Sequence, residues 1–204
     1  MALITISGQP GCRFEEVARI TSQRLGFELI TESRLAQLIE QEFGAGISIP
    51  DRAHLPLMQS MVARLATSHH LVLCTEGAEA VSAGFPGRLR VYVVAPDSVR
   101  VGSLMVDRRL ERPAARKLLQ EIEAAQKAER KRRLGRASTG AEAFDLVLNA
   151  ELLDSEQMAA FLEHAVESLG LKQLGYLAPA SEAQMQFRLR FRLARYGMAP
   201  PGNV

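Results

Sequence analysis

The clearest chemical pattern in the chain is a glycine-containing loop near the N-terminus. Residues 3–7 form a short apolar run with β-branched residues, Gly8–Arg13 follows, and an amphipathic segment begins at Glu15. A loop between a buried strand and a helix can wrap an anion, because its backbone N–H groups and the positive end of the helix dipole point at the same place. The placement predicts a phosphate-binding loop made of Gly8, Gln9, Pro10, Gly11, Cys12 and Arg13.

The same loop lacks the side chains that phosphate-binding loops of the GxxxxGK[ST] type use. In a register that starts at Gly8, Arg13 stands at the second glycine, Phe14 at the lysine and Glu15 at the hydroxyl residue. Arg13 is therefore the cation predicted to lie beside the phosphates, whereas Glu15 and Glu16 would repel them. The alternative is an ordinary glycine turn before a helix, because a loop with two glycines is a weak motif.

Positive charge is concentrated in one segment of the chain. The net charge of the 204 residues is +2, but residues 108–136 hold eleven Arg and Lys against four Glu, which makes this segment +7 and the rest −5. Such a local excess predicts contact with an anion at one place. Lys127, Arg130 and Arg133 would share one face, since residues three and four apart are neighbours on a helix. The alternative is a solvated helix surface with interspersed acids: Glu121, Glu123 and Glu129.

Strands and helices are predicted to alternate along the chain. Short apolar runs predict strands over residues 3–7, 27–30, 71–74, 89–94 and 144–149. Amphipathic segments predict helices over residues 15–25, 32–43, 52–67, 97–110, 113–134 and 154–169. This order predicts a parallel sheet with helices on both faces. A ligand is then expected at the carboxyl ends of the strands, near residues 8–13, 31–34, 75–78, 96–100 and 150–151.

Composition argues against several other classes of protein. No apolar run reaches the ~18–20 residues of a membrane span, and the first residues lack the basic region of a signal peptide, so we expect a cytoplasmic protein with no membrane contact. Cys12 and Cys74 are too few for a zinc site, and His69-His70 has no third ligand at metal spacing, so no metal ligand is assigned. Aromatic residues are only 5% of the chain, which argues against nucleic acid as a partner.

The C-terminal part of the chain has a different pattern. Residues 175–179 are typical of a linker, and Phe187–Leu193 alternates apolar and arginine residues with period 2. A strand of this kind would pair with the sheet edge or with a partner chain, and a basic helix is the alternative. We therefore expect one domain over residues 1–172 and an arm over 173–204, through which the protein could form homo-oligomers.

Taken together, these features resemble the cytidylate kinase-like family, a branch of the P-loop nucleoside monophosphate kinases. The resemblance covers about residues 3–170, and the order and spacing of short matches carry it: Ile6-Ser7, Gly11, Ala18-Arg19, Arg24-Leu25-Gly26, Gly77-Ala78, Val93-Val94-Ala95-Pro96, Arg100 and Phe144-Asp145-Leu146-Val147-Leu148-Asn149. Kinases of this family have a five-stranded parallel sheet in the order 2-3-1-4-5. The resemblance therefore implies an α/β three-layer P-loop kinase-like fold, with a helical LID over about residues 111–140.

The resemblance also implies a ligand and an activity. The ligand is a nucleotide or another phosphate compound, and the activity is phosphoryl transfer from ATP, with Mg²⁺, to a nucleoside monophosphate such as CMP. The Gly8–Cys12 amides and Arg13 would hold the donor phosphates. The moving charge would be neutralised by four cations, Arg100, Lys127, Arg130 and Arg133, because this chemistry depends on positioning and positive charge.

The chain departs from the family at the residues that carry this chemistry. Phe14 stands where a lysine is usual, and Glu76-Gly77-Ala78 replaces a stretch whose arginine helps to hold the acceptor phosphate. In the LID, Glu123-Ala124-Ala125-Gln126 replaces an Asp-x-x-Arg pattern. The alternative function is therefore a kinase-derived domain that has lost catalysis and senses a ligand or binds a partner.

Overall fold

A five-stranded parallel sheet forms the centre of the molecule. The computed structural model describes residues 1–46, 48–136, 138–179, 181–183, 186 and 196. Its strands are β1 (Leu3–Gly8), β2 (Glu28–Thr31), β3 (Leu71–Cys74), β4 (Arg88–Val94) and β5 (Leu146–Asn149). Their order is β2-β3-β1-β4-β5, and each neighbouring pair is parallel. The predicted fold class and strand order are confirmed.

Seven α-helices are present in the described part of the chain: α1 (Phe14–Leu25), α2 (Glu32–Phe43), α3 (Asp51–Leu65), α4 (Ala78–Val81), α5 (Asp97–Arg108), α6 (Arg112–Leu134) and α7 (Ser155–Ser168). Six of them match the predicted helices to within two residues at each end. The four-residue α4 was not predicted, because it is too short to show a helical repeat of apolar residues. Over the ranges that the structure describes, no helix has the length and apolarity to cross a membrane.

Helices cover both faces of the sheet. Ile4, Val91 and Val93 point to one face and pack with residues of α1 and α7, which include Val17 and Leu162. On the opposite face Leu3, Leu71 and Leu73 pack with residues of α3, which include Leu57 and Met61. The long helix α6 packs against α5 and α3 and crosses the edge of the sheet at which the strands end. The carboxyl ends of the strands therefore face loops and α6.

The segment after α7 packs on this domain. Leu177 is buried, and its N–H donates a hydrogen bond to the carbonyl of Ala66, just after α3. The side-chain amide of Gln186 donates to the carbonyl of Ser60 over 2.8 Å. Residues 175–179 are thus attached to the domain, which the linker prediction did not anticipate because one apolar residue gives no periodic signal. The predicted alternation at Phe187–Leu193 lies outside the described residues.

Both cysteines are buried as free thiols, as their apolar surroundings in the sequence predict. Cys12 follows β1 and Cys74 ends β3. Burial raises the pKa of each thiol to about 12, and the negative charge of Glu15 adds to the effect at both. The folded protein therefore holds both residues as neutral thiols at physiological pH.

We expect neither thiol of the folded protein to react with a disulfide reagent at pH 8. With a pKa of about 12, only about one thiol in 10,000 is ionised at that pH, against about a quarter at the ordinary pKa of ~8.5. Thiol release followed by absorbance should show no reaction in buffer, two reactive thiols in denaturant, and a faster reaction as the pH rises.

The same shifts predict how stability depends on pH. Because the folded-state pKa of each thiol exceeds the unfolded value, their contribution to stability is complete below about pH 8.5 and is lost as the pH rises toward the folded-state value.

For the reactivity test, reaction of both thiols of the folded protein in buffer at the rate of free cysteine would contradict their burial.

Candidate functional site

The first loop is fixed to the carboxyl edge of the sheet, beside the end of β4. The Gln9 N–H donates to the carbonyl of Val93 over 2.9 Å, and the Ala95 N–H donates to Gln9 Oε1 over 2.9 Å. Gly11 has a φ of +82°, and a β-carbon at this position would lie 2.7 Å from the carbonyl oxygen of Arg100. Glycine is required here both for the backbone angle and for the close approach to α5.

Two buried side chains pack against Gly8. Cys12 is 2% exposed, and its Sγ lies 2.7 Å from the carbonyl oxygen of Gln9 and 3.3 Å from that of Val93. Phe14, the first residue of α1, is 9% exposed. A β-carbon at Gly8 would lie 2.9 Å from Cys12 Sγ and 3.0 Å from Phe14 Cδ1. The thiol and the ring therefore belong to the core between the sheet and α1 and leave no room for a side chain at position 8.

The first turn of α1 carries two acidic side chains, those of Glu15 and Glu16. Desolvation raises the pKa of Glu15, and its charge opposes ionisation of Cys12 and Cys74. The start of α1 thus carries a carboxylate where a phosphate was predicted to bind.

Arg13 points out of the loop toward α5. The Arg13 backbone adopts a left-handed conformation with φ 57°, and Arg13 Nη2 lies 3.2 Å from Asp107 Oδ1. Both side chains are about half exposed. An exposed pair of this kind contributes only ~0–1 kcal/mol, so a phosphate could replace Asp107 as the partner of Arg13.

Arg100 lies beneath the loop and is neutralised by two carboxylates. The residue is 5% exposed; its Nη2 lies 2.5 Å from Asp97 Oδ1 and its Nη1 lies 2.6 Å from Glu123 Oε1. Burial lowers the pKa of the guanidinium, but the hydrogen bonds to Glu123 and Asp97 outweigh this and raise it overall. Arg100 therefore connects the start of α5 to the middle of α6.

Arg130 and Arg133 of α6 are also engaged by carboxylates. Arg130 contacts Glu76 after β3, and its Nη2 lies 2.7 Å from Glu79 Oε1 in α4. Arg133 Nη2 lies 2.7 Å from Glu129 Oε1, and its Nη1 lies 3.4 Å from Glu32 Oε1 at the start of α2. Both arginines are therefore paired with carboxylates, and Arg130 lines the same cavity as Lys127.

Lys127 lines a cavity between the first loop and α6. The cavity has a volume of about 200 Å³, and Gln9, Glu76, Tyr92 and Phe144 also line it. The rings of Tyr92 and Phe144 are stacked with their centroids 4.6 Å apart. Lys127 makes no ion pair with the part of the chain that the structure describes. The structure thus brings Lys127 and the first loop together, as predicted.

The carboxylates of this site were not predicted as partners of the arginines. Two of the pairs have a local signal, since Asp97 and Arg100 are three apart and Glu129 and Arg133 are four apart. The pair between Glu79 and Arg130 joins residues 51 positions apart and depends on the unpredicted α4. The sequence alone gives no signal for that pair.

A groove lies on the other side of the first loop, between α5 and the start of α7. Its volume is about 330 Å³. Its walls are mostly apolar or small, and its lining includes Gly11, Arg13, Val99, Gly102, Val106, Leu153, Asp154 and Met158. Asp154 caps α7, accepting the Gln157 N–H over 2.8 Å, which satisfies its carboxylate. We call this space the α5 groove.

The residues of the first loop do not fit a magnesium triphosphate. Positions 14, 15 and 16 supply a ring and two carboxylates in place of the expected cation and hydroxyl. Across the described ranges, no group of three or more His, Cys, Asp or Glu side chains is arranged to hold a metal ion. We therefore derive no reaction step through ATP or Mg²⁺ bound in this loop.

Solved structures with a similar fold include two kinases and a protein without a named activity. An uncharacterized protein from Eubacterium ventriosum ATCC 27560 superposes with a TM-score of 0.68 at 12% identity, covering 82% of this chain and 98% of its own. A gluconokinase from Sinorhizobium meliloti 1021 gives 0.51 at 16% identity, covering 85% and 97%. A sugar kinase from Janibacter sp. HTCC2649 gives 0.50 at 18% identity, covering 89% and 98%. These likenesses confirm the fold.

Sequence comparison extends the result from fold to family. No curated protein matches the chain. The cytidylate kinase-like family matches residues 47–152, which is just over half of the 204 residues and runs from the loop before α3 to the loop after β5. The matched part contains β3, β4, β5 and the whole of α6, and so most of the carboxylate–arginine pairs described above. The chain belongs to the cytidylate kinase-like family.

Proposed function

We propose that this chain binds a nucleotide without transferring its phosphate and acts as a catalytically inactive, ligand-sensing member of its family. The observation that carries the proposal is the first turn of α1, where Phe14, Glu15 and Glu16 stand in place of a lysine and a hydroxyl residue and Phe14 is packed against Gly8. A polyphosphate held by this loop would meet two carboxylates there and no lysine. A nucleoside with a single phosphate can instead use the α5 groove.

The charges of the cleft argue against phosphoryl transfer. Three guanidinium groups, those of Arg100, Arg130 and Arg133, share six carboxylates. Phosphoryl transfer requires an excess of positive charge around the moving group, and loss of one such electrostatic contact typically costs ~2.7–4 kcal/mol of barrier. These carboxylates therefore reduce the positive charge that the three arginines would offer to a phosphate chain.

The α5 groove has the size and chemistry of a nucleoside site. Its volume of about 330 Å³ lies at the lower end of the ~300–1,000 Å³ common for ligand pockets. Val99, Val106 and Leu153 offer apolar walls for a base, and Arg13 stands at the mouth. A phosphate on the ligand would replace Asp107 as the partner of Arg13, exchanging a weak exposed pair for a charge-assisted contact.

A second candidate function is transfer of a phosphoryl group from ATP, with Mg²⁺, to a monophosphate such as CMP. Lys127 supports it, because this cation lines the same cavity as Gln9 and forms no ion pair with the described residues. In that case Arg100, Arg130 and Arg133 would have to leave their carboxylates before they could act on a phosphate. One assay separates the two functions.

We expect no ADP when the purified protein is incubated with ATP, Mg²⁺ and each common nucleoside monophosphate. In calorimetry the protein should bind a monophosphate, and Arg13→Ala should weaken that binding about tenfold or more, since a hydrogen bond to a charged group contributes ~1.5–3 kcal/mol. Binding of the corresponding nucleoside should be unchanged in Arg13→Ala. Production of ADP that Arg13→Ala abolishes would establish the transferase function and refute the proposal.

Filling the α5 groove provides an independent test of where the ligand binds. Gly102 lines the groove, and a β-carbon placed there meets no residue outside its own stretch of α5 within 4 Å, so a side chain at this position extends into the groove. Leucine should also stabilise α5 by about 0.5–1 kcal/mol relative to glycine. We expect Gly102→Leu to melt at the same temperature or higher and to lose nucleotide binding.

The matched control for the groove variant is Ala124→Leu, an exposed position on α6 away from the groove. Calorimetry should give the same affinity for this control as for the original protein. Undiminished nucleotide binding by Gly102→Leu would mean that the ligand, if it binds, lies elsewhere.

A further inference from the structure

The last turns of α6 lie directly on the segment that follows β3. A β-carbon at Gly77 would lie 2.8 Å from Leu134 Cδ1 at the end of α6. One turn earlier, Arg130 reaches into the same segment with a side chain that is 11% exposed. This part of α6 therefore packs directly on the segment between β3 and α4.

Two carboxylates hold Arg130 in that position. Glu79 has a side chain only 2% exposed; its Oε1 lies 2.7 Å from Arg130 Nη2 and 3.2 Å from Thr139 Oγ1. Glu76 contacts the other terminal nitrogen of the same guanidinium. Both carboxylates thus contact Arg130, and this geometry suits the fixed directions of the N–H donors on its planar guanidinium.

The alternative state of these residues is unfavourable. If α6 moved away, Glu79 would lose its main counter-ion, and breaking a buried ion pair strongly destabilises a fold. Arg136 Nη2 is 3.8 Å from Glu79 Oε1 and half exposed, so it is a weak substitute. Glu79 Oε2 already has no hydrogen-bond partner among the described residues. The carboxylate of Glu79 therefore favours the closed position of α6.

We propose that Glu76 and Glu79 act as internal substitutes for the phosphate of a ligand: they bind Arg130, keep α6 closed over the β3 side of the cleft when no ligand is present, and exclude an anionic acceptor from it. The two acids determine specificity by repulsion, because a phosphate at this position would meet two carboxylates whose shared arginine is already bound. This inference goes beyond the nucleotide site in the α5 groove and does not require that site to be occupied.

Hydrogen exchange of the ligand-free, full-length protein tests the closure. We expect the amides of residues 126–134 to exchange at least tenfold faster in Glu76→Gln and in Arg130→Lys than in the original protein. Glu76 is partly exposed and Arg130→Lys keeps the charge, so both variants should fold, and unchanged exchange in β1 and β3 verifies this. The matched control is Glu121→Gln, which removes an exposed pair with Lys117 (3.9 Å) on the same helix and should leave exchange unchanged.

Two results would overturn the inference. The first is equal exchange of residues 126–134 in the original protein, Glu76→Gln and Arg130→Lys, since α6 would then be held by other contacts. The second is protection of residues 76–79 by added CMP in the original protein, since the acids would then not exclude a phosphate. Failure of nucleotide binding in the α5 groove alters neither readout, so the two proposals can fail separately.

Discussion

The contact of the Cys12 thiol and the Phe14 ring with Gly8 is the constraint on which the rest of the site depends. The thiol also lies 3.3 Å from the Val93 carbonyl oxygen, so it joins the loop to β4. Only glycine at position 8 leaves space for both side chains. Cys12 and Phe14 thus make this loop part of the core between the sheet and α1.

The arginines of the cleft are likewise engaged by contacts within the chain. In a cleft that binds polyphosphate, arginines are available to pair with the phosphates. Here Arg100 and Arg130 are already paired with carboxylates of α4, α5, α6 and the segment after β3. These pairs connect the long helix α6 to the sheet edge and to α5. The positive charge concentrated in residues 108–136 is therefore divided between inward arginines that hold the fold together and outward residues that remain exposed.

The sequence predicted what depends on local patterns and missed what depends on distant contacts. Apolar runs predicted the five strands, and the family resemblance implied their order in the sheet, which the structure confirms. Phe14 could be placed at the lysine position, but the direction of its ring is set by packing against Gly8. The pairing of Glu79 with Arg130 was not predicted, because the two residues are 51 positions apart and the helix that carries Glu79 is only four residues long.

A crystal of the protein soaked with ATP, Mg²⁺ and CMP would test the central claim most directly. The account predicts that the Phe14 ring and the Cys12 thiol stay against Gly8, with no β- or γ-phosphate density at the amides of residues 11–14. Density for a nucleotide would then lie in the α5 groove, with at most one phosphate at Arg13. A triphosphate seated on those amides, with Phe14 displaced, would contradict it.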